Sequence, residues 1–421
     1  MTTAAATPTS LPQSASEQKQ TSAVLASGWL LTWLAINICT LPINLYLKNK
    51  LHLGAEAVAF FNLVIGFASY VKPIAGLFSD NLTLLGTRRK HYLLFSTFVG
   101  GLCWLLLALL PKTYNTLLVM QTITIAVFVV ASTALGGLLV DAGKRNGSIG
   151  RLTSQRLAIN NLVGLIAGPL GGYLATKAFG LTIGICAGCF FLLVPLVALF
   201  LHEPPVADAP APSWSAVGEQ LKATFASRSL WWGLLMCCLL SIAPGFGTPL
   251  LFYQQDTLKL SEQFIGNMGM ISGGCGLLAA LLYSRLCSRL SLRRLLPLGI
   301  ILSSVGTLFY LFYNSVTAAL VIEGLAGFVG TLAVLPLWDL CGRATPKKNE
   351  ALGYSLLMSV LNLTAALSNL LGSWFYERLH WNFKNLVWLN AGTTALVLLI
   401  VPLIPAALMD RRDGELEERV K

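Results

Sequence analysis

Apolar blocks long enough to cross a bilayer, separated by short polar breaks, recur along most of the chain. A spanning helix needs ~20 apolar residues. The blocks predict twelve such spans, at residues 23–45, 55–79, 92–111, 115–140, 153–176, 180–201, 229–254, 262–284, 295–313, 317–342, 350–377 and 386–409. A longer polar segment, 202–228, carries Pro204, Pro205, Pro210 and Pro212 between the sixth span and the seventh. The expected organisation is a disordered tail at 1–22, a six-helix bundle at 23–201, a linker at 202–228, a second six-helix bundle at 229–409 and a tail at 410–421. The first tail is rich in Thr, Ala, Ser and Gln and has no basic segment leading into an apolar one, so it does not read as a cleaved signal.

Composition agrees with this reading. Of 421 residues 55% are hydrophobic and only 11% charged, against about a quarter charged in soluble domains. Soluble, nucleic-acid-binding and disulfide-scaffold classes are excluded. The net charge of +11 is topological, because Lys and Arg crowd alternate loops. The side with both termini and the linker holds 21 of the 29, the other side 7, and Lys72 lies inside a span. That bias predicts both termini in the cytoplasm, in a cell inner membrane or plasma membrane, with the lipid bilayer as partner and no nucleic acid. The nine cysteines lie almost all in apolar runs and read as small core residues. Cys186 and Cys189 form a C-x-x-C without a second pair or a histidine, so no metal is expected. No cofactor is expected, and the chain is expected to act as a monomer.

An internal repeat supports the division into six and six. Pro42, Tyr46, Leu51, Leu53 and Gly66 recur 207 residues on as Pro249, Tyr253, Leu258, Leu260 and Gly273, and Asn161 and Gly171 recur 201 on as Asn362 and Gly372. Six is even, so both halves share one orientation. This is the parallel repeat of the major facilitator fold, with a solute path between the halves.

Polar residues inside the spans are the candidate chemistry. Lys72 lies eight residues, ~12 Å at helical rise, inside the membrane from Asp80, and a central Lys costs ~2.5–3.5 kcal/mol to insert. It either faces a cavity, as counter-charge for a solute carboxylate, or snorkels to the interface. Glu323, followed by Gly324, Gly327 and Gly330, is the matching acid: a proton carrier or an interfacial structural acid. Arg156, with Asn160 and Asn161 one turn deeper, is a second anion site or a positive-inside anchor. Pro244-Gly245-Phe246-Gly247-Thr248-Pro249 breaks span seven near mid-membrane, which predicts a cavity lining. Phe246, Phe252 and Tyr253 beside it are either platforms for a flat ring or lipid-facing and packing residues. Histidines 52, 91, 202 and 380 are scattered and no phosphate loop occurs, so no enzyme is expected.

The loop after span two, Gly76-Leu-Phe-Ser-Asp80 and then Gly86-Thr-Arg88-Arg89-Lys90, resembles the major facilitator loop signature with about five extra residues. The resemblance implies a gate lock of Gly76, Asp80 and Arg88 or Arg89 with Asp141 at the end of span four; the alternative is an ordinary basic loop. The second half has an eroded copy in Arg285, Arg289, Arg293 and Arg294 with Asp339. Lys72-Pro73-x-x-Gly76-x-x-x-Asp80, Pro249-x-x-x-Tyr253, Leu260-Ser261-x-x-Phe264-Ile265-Gly266, Leu335-Pro336-Leu337 and Met358-Ser359-x-x-Asn362-Leu363 together resemble the folate-biopterin transporter family. Val140-Asp141-Ala142 is similar to the same family, while Gly143-Lys144-Arg145 departs from its acidic continuation. The resemblance implies uptake of a folate or pterin, commonly coupled to protons. Lys72, Arg156, Asn160, Asn161, Phe246, Tyr253 and Asn362 are then the expected substrate-binding set, with Glu323 for proton coupling. The alternatives are a facilitator or exporter of another amphipathic solute, and a non-transporting membrane sensor or scaffold.

Overall fold

The computed structural model describes residues 15–73, 87, 89–146, 149–201, 203, 214–346 and 350–410. The fold is all-α. The first half comprises α1 (Ala15–Asn49), α2 (Ala55–Ile65), α3 (Phe67–Tyr70), α4 (Lys90–Leu109), α5 (Tyr114–Asn146), α6 (Ile149–Ala175) and α7 (Phe179–Phe200). A linker helix, α8 (Trp214–Phe225), precedes α9 (Arg228–Ser241), α10 (Gly247–Asp256), α11 (Glu262–Leu286), α12 (Leu292–Leu308), α13 (Val316–Ala344), α14 (Glu350–Arg378), α15 (Phe383–Leu396) and the short α16 (Ala406–Met409). Among the described residues ten helices are long and apolar enough to cross a membrane, and the bent pair formed by Gly218–Phe225 and α9 would make an eleventh.

Two expected segments differ. The helix of span one begins at Ala15, inside the segment expected to be a disordered tail. Its polar first turns are good helix formers, and they are anchored: Thr21 is buried and the Ser22 hydroxyl donates to Gln155 Oε1 at 2.9 Å. Span two is not one helix. α2 stops at Gly66 and α3 at Val71, just before Pro73. Proline lacks the N–H that would bond the carbonyl four residues back. That carbonyl, on Ser69, instead accepts from the Ser359 hydroxyl of α14 at 3.4 Å. Span seven is split into α9 and α10 by Pro244-Gly245, as its sequence predicts.

The break in span seven is lined by polar partners. Ser368 of α14 donates to the Ala243 carbonyl, and its own carbonyl accepts the Gly245 N–H at 2.9 Å. Asn369 accepts the Thr248 N–H at 3.0 Å and donates to the Thr248 hydroxyl at 2.8 Å. Asn390 of α15 donates to the Pro244 carbonyl at 3.0 Å. With no bilayer water to replace them, these bonds hold the broken helix in place. Asn369→Ala is expected to orphan the Thr248 N–H at a cost of about 1–3 kcal/mol, read as a lower unfolding temperature of the purified protein.

The repeat is visible in three dimensions. Gly171 of α6 leaves room for only the Ile38 carbonyl of α1, 3.0 Å from where a methyl would sit, and Gly372 of α14 abuts the Gly245 carbonyl in the same way. Ile38 and Gly245 are themselves 207 residues apart. Likewise Tyr46 stacks on Phe179 at 4.6 Å and its repeat mate Tyr253 on Phe383 at 4.8 Å.

α1 lies against α6 and α7, and α4 against α5 and α7; in the second half α9 lies against α14, and α13 against α11 and α12. The halves meet along two seams, α6 on α11 and α2 on α14. The first is glycine on glycine: a methyl on Gly168 would sit 2.6 Å from the Gly266 carbonyl, and one on Gly172 3.0 Å from Gly266 Cα. Small residues let helix backbones touch, which is how helices associate in lipid without a hydrophobic drive.

Candidate functional site

The end of the molecule bearing the α1–α2 turn, called here the far end, is tied across the halves. Lys48 pairs with Asp256 at 2.5 Å, Asn49 donates to Glu262 at 3.4 Å and Gln263 donates to the Pro169 carbonyl at 3.1 Å. Arg378 pairs with Glu56 at 2.6 Å, and the Glu56 N–H donates to Glu377 at 2.7 Å. The last bond places a carboxylate from the second half on the N-terminus of α2, where free N–H groups and the helix dipole favour negative charge.

Toward the opposite end, the one that carries the linker, three elements converge. The Arg156 guanidinium lies over the Trp29 ring at 4.3 Å and near the Trp33 ring at 5.7 Å. Lys72, beside the helix break at Val71, is close enough to Arg156 for the two positive charges to repel. Tyr354 of α14 brings its phenol within Coulomb range of Arg156 from the other half. Lys72 and Arg156 are both half-buried. Two cations held together in a low-dielectric region are stabilised by an anion placed between them. Sequence reasoning found Lys72 and Arg156 separately; it missed Trp29, Trp33 and Tyr354. The spacing of the two tryptophans, four residues apart on one helix face, was the available signal.

The other expected binding residues divide. Asn160 and Asn362 are exposed and Asn161 is half-buried. Asn160 shares a face with Gly164 and Gly168, the α11-facing seam. Phe246 and Tyr253 belong elsewhere: Phe246 meets Tyr310 at 5.1 Å and Phe383 at 5.5 Å edge-on, and the Tyr253 hydroxyl donates to the Tyr313 carbonyl at 3.0 Å. Phe252 is buried beneath the Lys48 ammonium, 4.8 Å from it. This cluster clamps α10 to α15 as Tyr46 clamps α1 to α7, so the rings are packed against one another at the far end and not presented beside Lys72.

Glu323 sits in the same far-end cluster. Its Oε1 accepts from the Tyr313 hydroxyl at 3.1 Å, and Gln254 donates to that hydroxyl at 2.7 Å. No cationic side chain pairs with it among the described residues.

Of the expected gate, Gly76, Asp80 and Arg88 lie outside the described residues. Arg89 pairs with Asp141 at 2.7 Å, its guanidinium lying flat where a side chain at Gly137 would be. Lys90 and Glu203 reinforce the joint: Glu203 accepts the Arg89 and Lys90 N–H groups at 3.2 and 2.7 Å, and the Lys90 ammonium donates to the Leu201 carbonyl at 2.7 Å. The eroded copy in the second half does not form the equivalent pair. Asp339 is taken by Arg343 one turn along its own helix, at 2.8 Å, and Arg293 pairs with Asp410. An arginine within reach on the same helix wins because little chain entropy is lost.

Two helical halves in one orientation, meeting along two polar and glycine seams, make up the major facilitator fold. Solved structures agree on the fold. A nucleoside transporter NupG mutant superposes with a TM-score of 0.74 at 12% identity, over 91% of this chain and 99% of that one. A POT family transporter in complex with 5-aminolevulinic acid gives 0.74 at 12%, over 92% and 96%. The BT1 family profile matches residues 34–420, and the chain belongs to that family. Among curated relatives, the folate-biopterin transporter of Synechocystis is 24% identical over 92% of this chain and 81% of its own length. Folate transporter 1 of Plasmodium falciparum is 25% identical over 84% and 72%. The protein is a multi-pass membrane transporter of a small-molecule solute.

Proposed function

We propose that the protein is a secondary transporter of an anionic solute of the folate or pterin class, moved by alternating access and coupled to protons. The observation that carries this reading is the convergence of Lys72 and Arg156, with Tyr354 from the other half, at the seam between the two bundles. A folate glutamate tail supplies the missing negative charge, and the names of the Synechocystis and Plasmodium relatives point to the same solute class. The far-end ties and the glycine seam hold one mouth shut, and their release would open it. Glu323 is the proton carrier in this reading: a carboxylate without a cation is the group most easily neutralised by a proton. The linker end faces the cytoplasm, in agreement with its surplus of Lys and Arg.

Uptake of labelled folate, a pterin without a glutamate tail and unrelated anions into proteoliposomes, with and without a pH gradient, tests the reading. Folate uptake that is stimulated by an inward proton gradient is expected; transport of none of the folates or pterins would reject the solute class. For the gate, Asp141→Asn is expected to reach the membrane yet transport poorly. Charge exchange, Arg89→Asp with Asp141→Arg, should recover part of the loss. Wild-type uptake in both Arg89→Ala and Asp141→Asn would remove the lock.

A further inference from the structure

A groove of about 640 Å³ runs along the α2–α14 seam, apart from the Lys72–Arg156 site. Its walls are Phe60 of α2, Ile242 at the end of α9, and Leu367, Leu371 and Trp374 of α14, each between 38% and 47% exposed. Its head is polar: Glu56, Glu377 and Arg378. The volume lies within the ~300–1,000 Å³ of small-molecule sites.

Helical phase tells which way the groove faces. Leu367, Leu371, Trp374 and Arg378 follow one another at i, i+4, i+7 and i+11 and form one stripe. At 100° per residue Leu371 is opposite Asn362, an exposed polar residue of the same helix, while Ser368 and Gly372 face the α9–α10 break. The stripe therefore looks away from the side of α14 that carries Asn362, towards the bilayer. From Leu367 to Arg378 it covers eleven residues, ~16 Å at helical rise, about half of a ~30 Å hydrocarbon core. That is the depth of one leaflet, with the charged head at the level of the lipid headgroups.

The charge at the head selects among lipids. Two carboxylates face one guanidinium, and each carboxylate already uses Oε2: Glu56 to receive Arg378, Glu377 to receive the Glu56 N–H. Oxygens remain to accept from an ammonium, while the guanidinium stands beside them for a phosphate. We infer that this groove binds a phospholipid with a primary amine headgroup, phosphatidylethanolamine, its acyl chain against Phe60, Leu367, Leu371 and Trp374, its ammonium at Glu56 and Glu377 and its phosphate at Arg378. Quaternary choline has no N–H to donate, and a glycerol headgroup has no positive charge for the acids. A lipid seated there bridges both halves at the closed mouth.

The test uses the full chain, purified and delipidated in detergent, titrated with dioleoyl phosphatidylethanolamine, phosphatidylcholine or phosphatidylglycerol and read by native mass spectrometry and unfolding temperature. Phosphatidylethanolamine is expected to bind about tenfold tighter than phosphatidylcholine, the scale of one charge-assisted hydrogen bond. Glu377→Gln should narrow that ratio, and Leu371→Trp, which fills the groove, should abolish it. Ile242→Trp, from the opposite wall, repeats the filling test should the first variant fold poorly. Equal binding of the two zwitterionic lipids by the unmutated protein, or tighter binding of phosphatidylglycerol, overturns the assignment. A preference for phosphatidylethanolamine that survives in both tryptophan variants places the lipid elsewhere and overturns it as well.

Discussion

Lys72→Gln is expected to weaken apparent affinity for folate at least tenfold. Lys72 lies within Coulomb range of Arg156, and a solute carboxylate placed between them would give each cation a counter-charge. Truncating one partner of such a buried charged pair costs ~2–5 kcal/mol, and each 1.4 kcal/mol is about tenfold. Lys72→Arg should also transport poorly, because a planar guanidinium next to that of Arg156 cannot reproduce the geometry of a compact ammonium. A pterin without the glutamate tail should lose much less. Concentration dependence of uptake for both solutes, in variants shown to reach the membrane in equal amounts, decides the matter. Equal losses for the two would mean that Lys72 is structural, and no loss for either would mean that it only snorkels to the interface.

Gly266→Leu is expected to abolish transport by forcing the far end apart. Gly266 faces Gly168 and Gly172 backbone to backbone, so no flexible side chain is available to move aside. Overpacking of a closed interface costs about 1–3 kcal/mol, which shifts a two-state equilibrium by roughly five- to more than a hundredfold. In the proposed alternating-access cycle the seam opens together with the far mouth, so the variant should accumulate in the far-open form. Spin labels at Lys177 and Lys259, measured by pulsed electron resonance, should report longer distances than in the unmutated protein. Unchanged distances together with unchanged uptake would refute the seam as the closing surface. Gly274→Leu, where added bulk would meet little beyond the tip of Leu165, is the control expected to differ least.

The sequence by itself determined the membrane-spanning class from its apolar runs and the break of span seven from Pro244-Gly245, because in lipid every backbone group must be satisfied within a helix or by a neighbour. The same constraint made Lys72, Arg156 and Glu323 conspicuous, since an ionisable group is costly wherever it is not placed for a reason. The repeat too was legible: Gly171 and Gly372 recur because each must admit the carbonyl of an equivalent residue.

Tertiary structure alone decided who meets whom. Pro73 was visible in the sequence, but the freed Ser69 carbonyl found its partner on Ser359, 290 residues away. Tyr253 reads in the sequence as a ring platform or a packing residue, and its stacking partner, Phe383, belongs to a helix far along the chain that no local pattern points to. Asp339 read as half of a second gate, yet Arg343 on its own helix takes it. Arg156 meets Trp29 only when α6 is laid against α1, and Tyr354 and the groove headed by Glu56, Glu377 and Arg378 join only when α14 is laid against α2. Side-chain period fixes which face of a helix is polar; the partner that face meets depends on long-range packing, which a local pattern does not encode.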